Sequence, residues 1–72
     1  VPNNIFLVKL GQRIRKLRNG KGLSITEIAA HSGISRQHLS SVEHGKAEVG
    51  LLALQAIASE LGTTMSALLK GL

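Results

Sequence analysis

The sequence predicts an all-α fold, a compact bundle of five short helices. Three observations predict it. No segment alternates apolar and polar residues with β-branched enrichment, so strand signals are missing. Apolar residues recur at helical spacing instead, as in Leu10, Ile14 and Leu17. Gly, Ser, Thr and Asn stand between those stretches, where helix stops and caps belong. The 72 residues are expected to form a single domain, 1–72, with a modest core and marginal stability.

The first helix is expected over roughly 5–19, with Asn3 or Asn4 as cap. Arg18 continues its apolar stripe from Ile14, and Gly20 and Gly22 end it. Ser24 and Glu27 spell a capping box, S-x-x-E, which satisfies two orphaned backbone donors at a helix start. The second helix then covers roughly 25–31, with Ile28 and Ala29 inward, until Gly33 stops it. Ile34 is the large apolar residue of the gap and should plug the core. Ser35 caps a third helix, roughly 36–43, and Gly45 closes it. After the loop from Lys46 to Gly50, LLALQAIASEL at 51–61 is apolar nearly all round. Such a helix is expected to be buried on more than one side. Gly62 ends it. Thr63 or Thr64 caps a last helix, roughly 65–70, carrying Met65, Leu68 and Leu69.

Composition narrows the function. Without cysteine there is no disulfide framework and no thiolate metal site, which fits a reducing cytosol. No apolar run is long enough to span a membrane, and no signal peptide is visible, so the expected location is cytoplasmic. The net charge of +5 is unevenly placed. Lys9, Arg13, Arg15, Lys16, Arg18 and Lys21 all precede the first acidic residue, Glu27. A positive face usually meets a polyanion; a solvated basic helix is the alternative.

The third helix is the unusual one. Projected at about 100° per residue, Leu39, Val42 and Glu43 fall on one side, and Gln37, Ser41 and His44 fall opposite. Arg36 and Ser40 flank the outward side, and His38 lies at its other edge. A solvated face would more often carry Glu and Lys four apart. Short donors and acceptors let a helix approach a partner closely. Arg and Gln can make bidentate contacts to guanine and adenine on major-groove edges.

Two short helices joined through Gly33-Ile34-Ser35 resemble a helix-turn-helix. The segments LGQRIRKLRNGKGLS (10–24), TEIAAHSGIS (26–35), HLSSVEHGK (38–46) and LQAIASELGTTMSALL (54–69) are similar to the phage-repressor/Cro-like (XRE) helix-turn-helix family. That resemblance implies a lambda-repressor-like five-helix domain that binds double-stranded operator DNA, usually as a homodimer. Ser35, Arg36, Gln37 and Ser41 stand where members read base edges. Ser24, Thr26, His38, Ser40, Lys46, Arg13 and Lys21 are the candidate backbone contacts, although some of these cations could simply face water. Many members place Gln where this sequence has Ile25, to hold a phosphate; here the backbone N–H groups of the helix end take that part, or the contact is lost, or the docking angle differs. Gly50 departs from a common Ser or Thr cap. Arg18 and Glu43, each at the edge of an apolar stripe on a different helix, pair by spacing. The resemblance implies the same, a partly buried salt bridge with an architectural role.

His31, His38 and His44 form no ligand pattern, and no nucleophile elbow or phosphate loop is recognisable. No metal, cofactor or catalytic activity is expected. Surplus apolar residues point to a two-fold dimer through Leu52, Met65, Leu69 and Leu72, with the N-terminal turn IFLV at 5–8 as a contributor. The chain reads either as a complete small regulator or as a domain of a longer protein with a C-terminal sensor. An antitoxin-like or adaptor module, whose main ligand is another protein, is the alternative function.

Overall fold

The structure is a computed structural model and describes residues 4–72. Within them lie α1 (Ile5–Gly20), α2 (Ile25–Ser32), α3 (Arg36–Glu43), α4 (Leu51–Glu60) and α5 (Met65–Leu69). Local chemistry sets most of the ends. Asn4 caps α1, its side-chain oxygen accepting from the N–H groups of Phe6 and Leu7; Asn3 lies outside the described residues. The capping box is reciprocal: the Glu27 N–H donates to Ser24 Oγ and the Ser24 N–H to Glu27 Oε1, both at 3.1 Å. Hydrogen bonds to the Ser24 backbone and side chain hold the Glu27 carboxyl below its ordinary pKa. Ser35 accepts from the His38 N–H at 2.9 Å, and Thr64, not Thr63, accepts from Ala67 at 3.0 Å. Gly50 gives α4 no side-chain cap.

The turn between α2 and α3 needs its glycine. Gly33 has φ +71°, a left-handed conformation that costs other residues strain. It lets the Ile34 N–H reach back to the Ala29 carbonyl, which closes α2 and redirects the chain.

One apolar cluster joins all five helices: Leu10, Ile14, Ile28, Ala29, Leu39, Val42, Leu54, Ile57, Ala58, Leu61 and Leu68. Ile34 packs against it from the turn. Contacts are densest between α2 and α4 and between α1 and α3, with α5 closing against α1 and α4. The α1–α3 crossing is close because Gly11 is buried in it. A Cβ there would lie 2.3 Å from the Val42 carbonyl oxygen and 2.6 Å from that of Glu43. The expectation for α4 needs correction. It buries one stripe, Leu54, Ile57 and Ala58, while Leu51 and Leu52 in its first turn are 72% and 80% exposed. In the N-terminal turn, Ile5 and Phe6 are exposed, and Leu7 and Val8 are half-buried.

Candidate nucleic-acid interface

α3 is held from one side only. Leu39 and Val42 are fully buried beneath it. Glu43, at its C-terminal end, is buried too and receives the Arg18 guanidinium from α1 in a bidentate pair: Nε to Oε2 at 2.7 Å, Nη2 to Oε1 at 3.0 Å. Arg18 Nη1 also donates to the Leu23 carbonyl at 3.0 Å, so one side chain joins α1, the loop before α2 and α3. The hydrogen-bonded carboxylate raises the guanidinium's pKa above its ordinary value, against the opposing effect of burial. With Gly11 beneath, this fixes both the height and the rotation of α3.

The opposite face is left outward. Arg36 and Gln37 are exposed, and Ser40 and Ser41 are half-buried along it. Ser35 is exposed at the N-cap; its oxygen accepts the helix bond while its hydroxyl hydrogen remains available to donate. The start of α2 lies beside this face. Ile25 lines a shallow hollow of about 370 Å³ together with Arg36, Gln37, Ser40 and Ser41. Ser24 and Thr26 flank Ile25 in sequence and are exposed, but do not line the hollow. Lys46 is exposed just after α3.

Other expected contacts are placed elsewhere. Arg13 is half-buried, not exposed, and its Nη1 donates to the carbonyls of Leu68 and Lys70, closing the end of α5 against α1. The cation meets the negative end of a helix that offers no other partner for those oxygens. Lys21 folds over the turn after α4, its Nζ beside Gly62. His38 is drawn to the loop before α4: its Nε2 donates to the Glu48 carbonyl at 2.8 Å, the tautomer that bond requires. Arg13 and His38 thus make internal hydrogen bonds that helical periodicity does not encode, whereas Lys21 stays exposed. His44 returns to the Ser40 carbonyl at 2.7 Å, and His31 meets Glu60 at 2.7 Å, joining α2 to α4.

The four residues expected at a dimer interface differ in exposure. Leu52 is exposed, whereas Met65, Leu69 and Leu72 pack partly on the core. The strongly exposed apolar side chains are Ile5, Phe6, Leu51 and Leu52. Among the described residues, no group of three or more His or acidic side chains could hold a metal, and no helix is long and apolar enough to cross a membrane.

A family model described as helix-turn-helix matches residues 14–68. The chain is 38% identical over 66 residues to the control protein C.MunI of a Mycoplasma species, covering 90% of this chain and 89% of that one. It is 41% identical over 64 residues to the HTH-type transcriptional regulator DdrOP3 of Deinococcus deserti, covering 89% of this chain; the match spans 50% of that relative's length. Among solved structures, the restriction-modification controller protein C.AhdI from Aeromonas hydrophila superposes with a TM-score of 0.84 at 38% identity. That match covers 90% of this chain and 98% of the other. The buried side of α3, its outward polar face and these likenesses lead to one conclusion: the chain belongs to the helix-turn-helix family, as a phage-repressor-like, all-α DNA-binding regulator domain rather than an enzyme.

Proposed function

We propose that the chain binds double-stranded DNA sequence-specifically as a transcriptional regulator, with α3 in the major groove and two copies on a two-fold symmetric site. One observation carries the reading: α3 turns Arg36, Gln37, Ser40 and Ser41 outward while Leu39, Val42 and the Arg18–Glu43 pair hold its other side. Donors and acceptors on a rigid helix match the pattern of base edges in that groove. Ser35, Arg36, Gln37 and Ser41 are the base-reading set. Lys46, with Ser24, Thr26 and Ser40, is assigned to the backbone, where contacts fix register without reading sequence. Arg13 and His38 are dropped from that set because of their internal hydrogen bonds, and Lys21 because its Nζ lies beside Gly62.

The size of the domain supports pairing. Its longest Cα extent is 27 Å. Two neighbouring copies can therefore present their α3 helices about 34 Å apart, one duplex turn, and still touch. The exposed Leu51 and Leu52 supply an apolar surface for that contact. The same leucines favour the second reading, a module whose main ligand is another protein. The names of the relatives, a control protein and a transcriptional regulator, support the first.

Fluorescence anisotropy with labelled duplexes over a salt series tests this. Gln37→Ala is expected to relax preference at one base position, at a cost of about 1–3 kcal/mol. Lys46→Ala is expected to weaken all sequences alike and to reduce the salt slope by about one. If neither substitution alters DNA binding, the assignment of α3 as the reading helix is wrong.

A further inference from the structure

The hollow beside α3 has an apolar wall that comes from another helix. Ile25 is the first residue of α2, and its backbone is set by the capping box at Ser24 and Glu27. Its side chain is half-buried and packs partly on the core, so the remainder is a fixed surface rather than a frayed one. Around the same hollow stand Arg36, Gln37, Ser40 and Ser41. The Gln37 amide offers both a donor and an acceptor, and the serine hydroxyls can do either. A branched aliphatic wall next to an amide matches one kind of major-groove edge. An A·T pair presents an acceptor and a donor on adenine beside the apolar 5-methyl of thymine. Cytosine has only hydrogen at that carbon unless it is methylated.

We propose that Ile25 and Gln37 form a subsite for the 5-methyl group of a pyrimidine, so that Ile25 determines specificity from outside the reading helix. This rests on α3 being the base-reading helix. The methyl seats against Ile25, and the neighbouring base edge meets Gln37. Thymine and 5-methylcytosine carry the same group, and the two sources separate experimentally.

The test starts from a duplex selected by the whole chain from random DNA. Each thymine is replaced in turn by deoxyuridine, which removes the methyl and nothing else. Separately, each cytosine is replaced by 5-methylcytosine. Losing one buried methyl contact is expected to weaken binding about fourfold, from the transfer free energy of one apolar carbon. The expected result is such a loss at one thymine of each half-site, with the discrimination reduced to a ratio near one in Ile25→Gln. A fourfold tightening at one methylated cytosine, abolished by the same substitution, also supports the subsite and names 5-methylcytosine as its source. Sequence-specific binding with no position sensitive to the methyl overturns the proposal while leaving α3 as the reading helix. A methyl effect undiminished in Ile25→Gln also overturns it. Binding with no base preference at all removes the reading beneath it. The base replacements use the unaltered protein, so a missing methyl effect overturns the proposal even where Ile25→Gln folds poorly. In that case Ile25→Ala, which also removes the aliphatic wall, is expected to reduce the methyl discrimination, and an undiminished effect there overturns it.

Discussion

Removing one partner of the Arg18–Glu43 pair should nearly unfold the domain, whereas removing both should not. The Glu43 side chain is 1% exposed and that of Arg18 13%, so neither charge has much water to fall back on. Breaking such a pair costs about 3–5 kcal/mol, because the survivor stays buried and uncompensated. A 72-residue domain has a total stability of roughly 4–11 kcal/mol at about 0.05–0.15 kcal/mol per residue. A loss of about 3 kcal/mol would lower Tm by roughly 12–24 °C for a domain of this size. Arg18→Met and Glu43→Met should each show that loss in urea unfolding followed by circular dichroism, the suitable probe for a chain without Trp or Tyr. The double variant replaces both charges with apolar side chains of similar volume, a change that is often neutral or stabilising. It should fall within about 1 kcal/mol of the original protein. The coupling between the two substitutions is then several kcal/mol. Additive losses, agreeing to within about 0.5 kcal/mol as for independent sites, would refute the claim that the charges act as one buried unit.

Four further outcomes are expected. Gly11→Ala should destabilise by at least the roughly 1–3 kcal/mol typical of overpacking, despite alanine's better helix propensity. Its Cβ would meet the Val42 backbone oxygen at 2.3 Å; an unchanged urea midpoint would contradict the close crossing. Arg13→Ala should speed amide exchange in α5 while leaving the salt slope of DNA binding unchanged, since its guanidinium bonds the carbonyls of Leu68 and Lys70. Glu27 gives an acid dependence with a definite sign. Its folded pKa is depressed, so its contribution is present above the unfolded value and is lost as pH falls through the folded one. Urea midpoints measured as pH falls below the usual carboxylate range should therefore drop less steeply for Glu27→Gln. Leu52→Glu should lower self-association in sedimentation equilibrium while leaving the monomer's stability within about 0.5 kcal/mol, because the side chain is 80% exposed.

The helices were legible in the sequence because their ends are decided locally. Ser24 with Glu27, Ser35 and Thr64 bind backbone donors within three residues of themselves, and no distant group is consulted. The outward face of α3 was legible for a similar reason: Leu39 and Val42 are too few to hold more than one narrow edge. What was not legible depends on which elements meet. Nothing near Arg13 in sequence indicates that the carbonyls closing α5 need a donor, and nothing near His38 points to Glu48. Charge and periodicity therefore marked both as outward groups. The apolar run of α4 misled in the opposite direction. Its length matched a buried helix, but its first turn projects past the neighbours that cover Leu54 and Ile57. Gly11 did carry a signal. A glycine in a helix interior costs about 1 kcal/mol against alanine, and a close backbone approach is the usual compensation.

The internal bonds also change how the charge of the domain should be read. Six basic residues from Lys9 to Lys21 predict a positive face. Arg18 is neutralised by Glu43, Arg13 is turned to the end of α5, and Lys21 lies over Gly62. The cations left on or next to α3 are Arg36 and Lys46. Lys9, Arg15 and Lys16 stay exposed on α1, away from α3 in sequence. Salt dependence follows the number of phosphates neutralised, so on the proposed reading its slope reports how many of these cations reach the duplex besides Arg36 and Lys46. Leu39, Val42, Gly11 and the Arg18–Glu43 pair hold the helix entirely from its inner side. The side chains of Gln37 and Arg36 are exposed and bond to no other group among the described residues, so on the proposed reading they exchange water for base edges without breaking a bond inside the protein. A face free of folding duties in this way can change its residues, and with them the proposed sequence preference, at little cost to the fold.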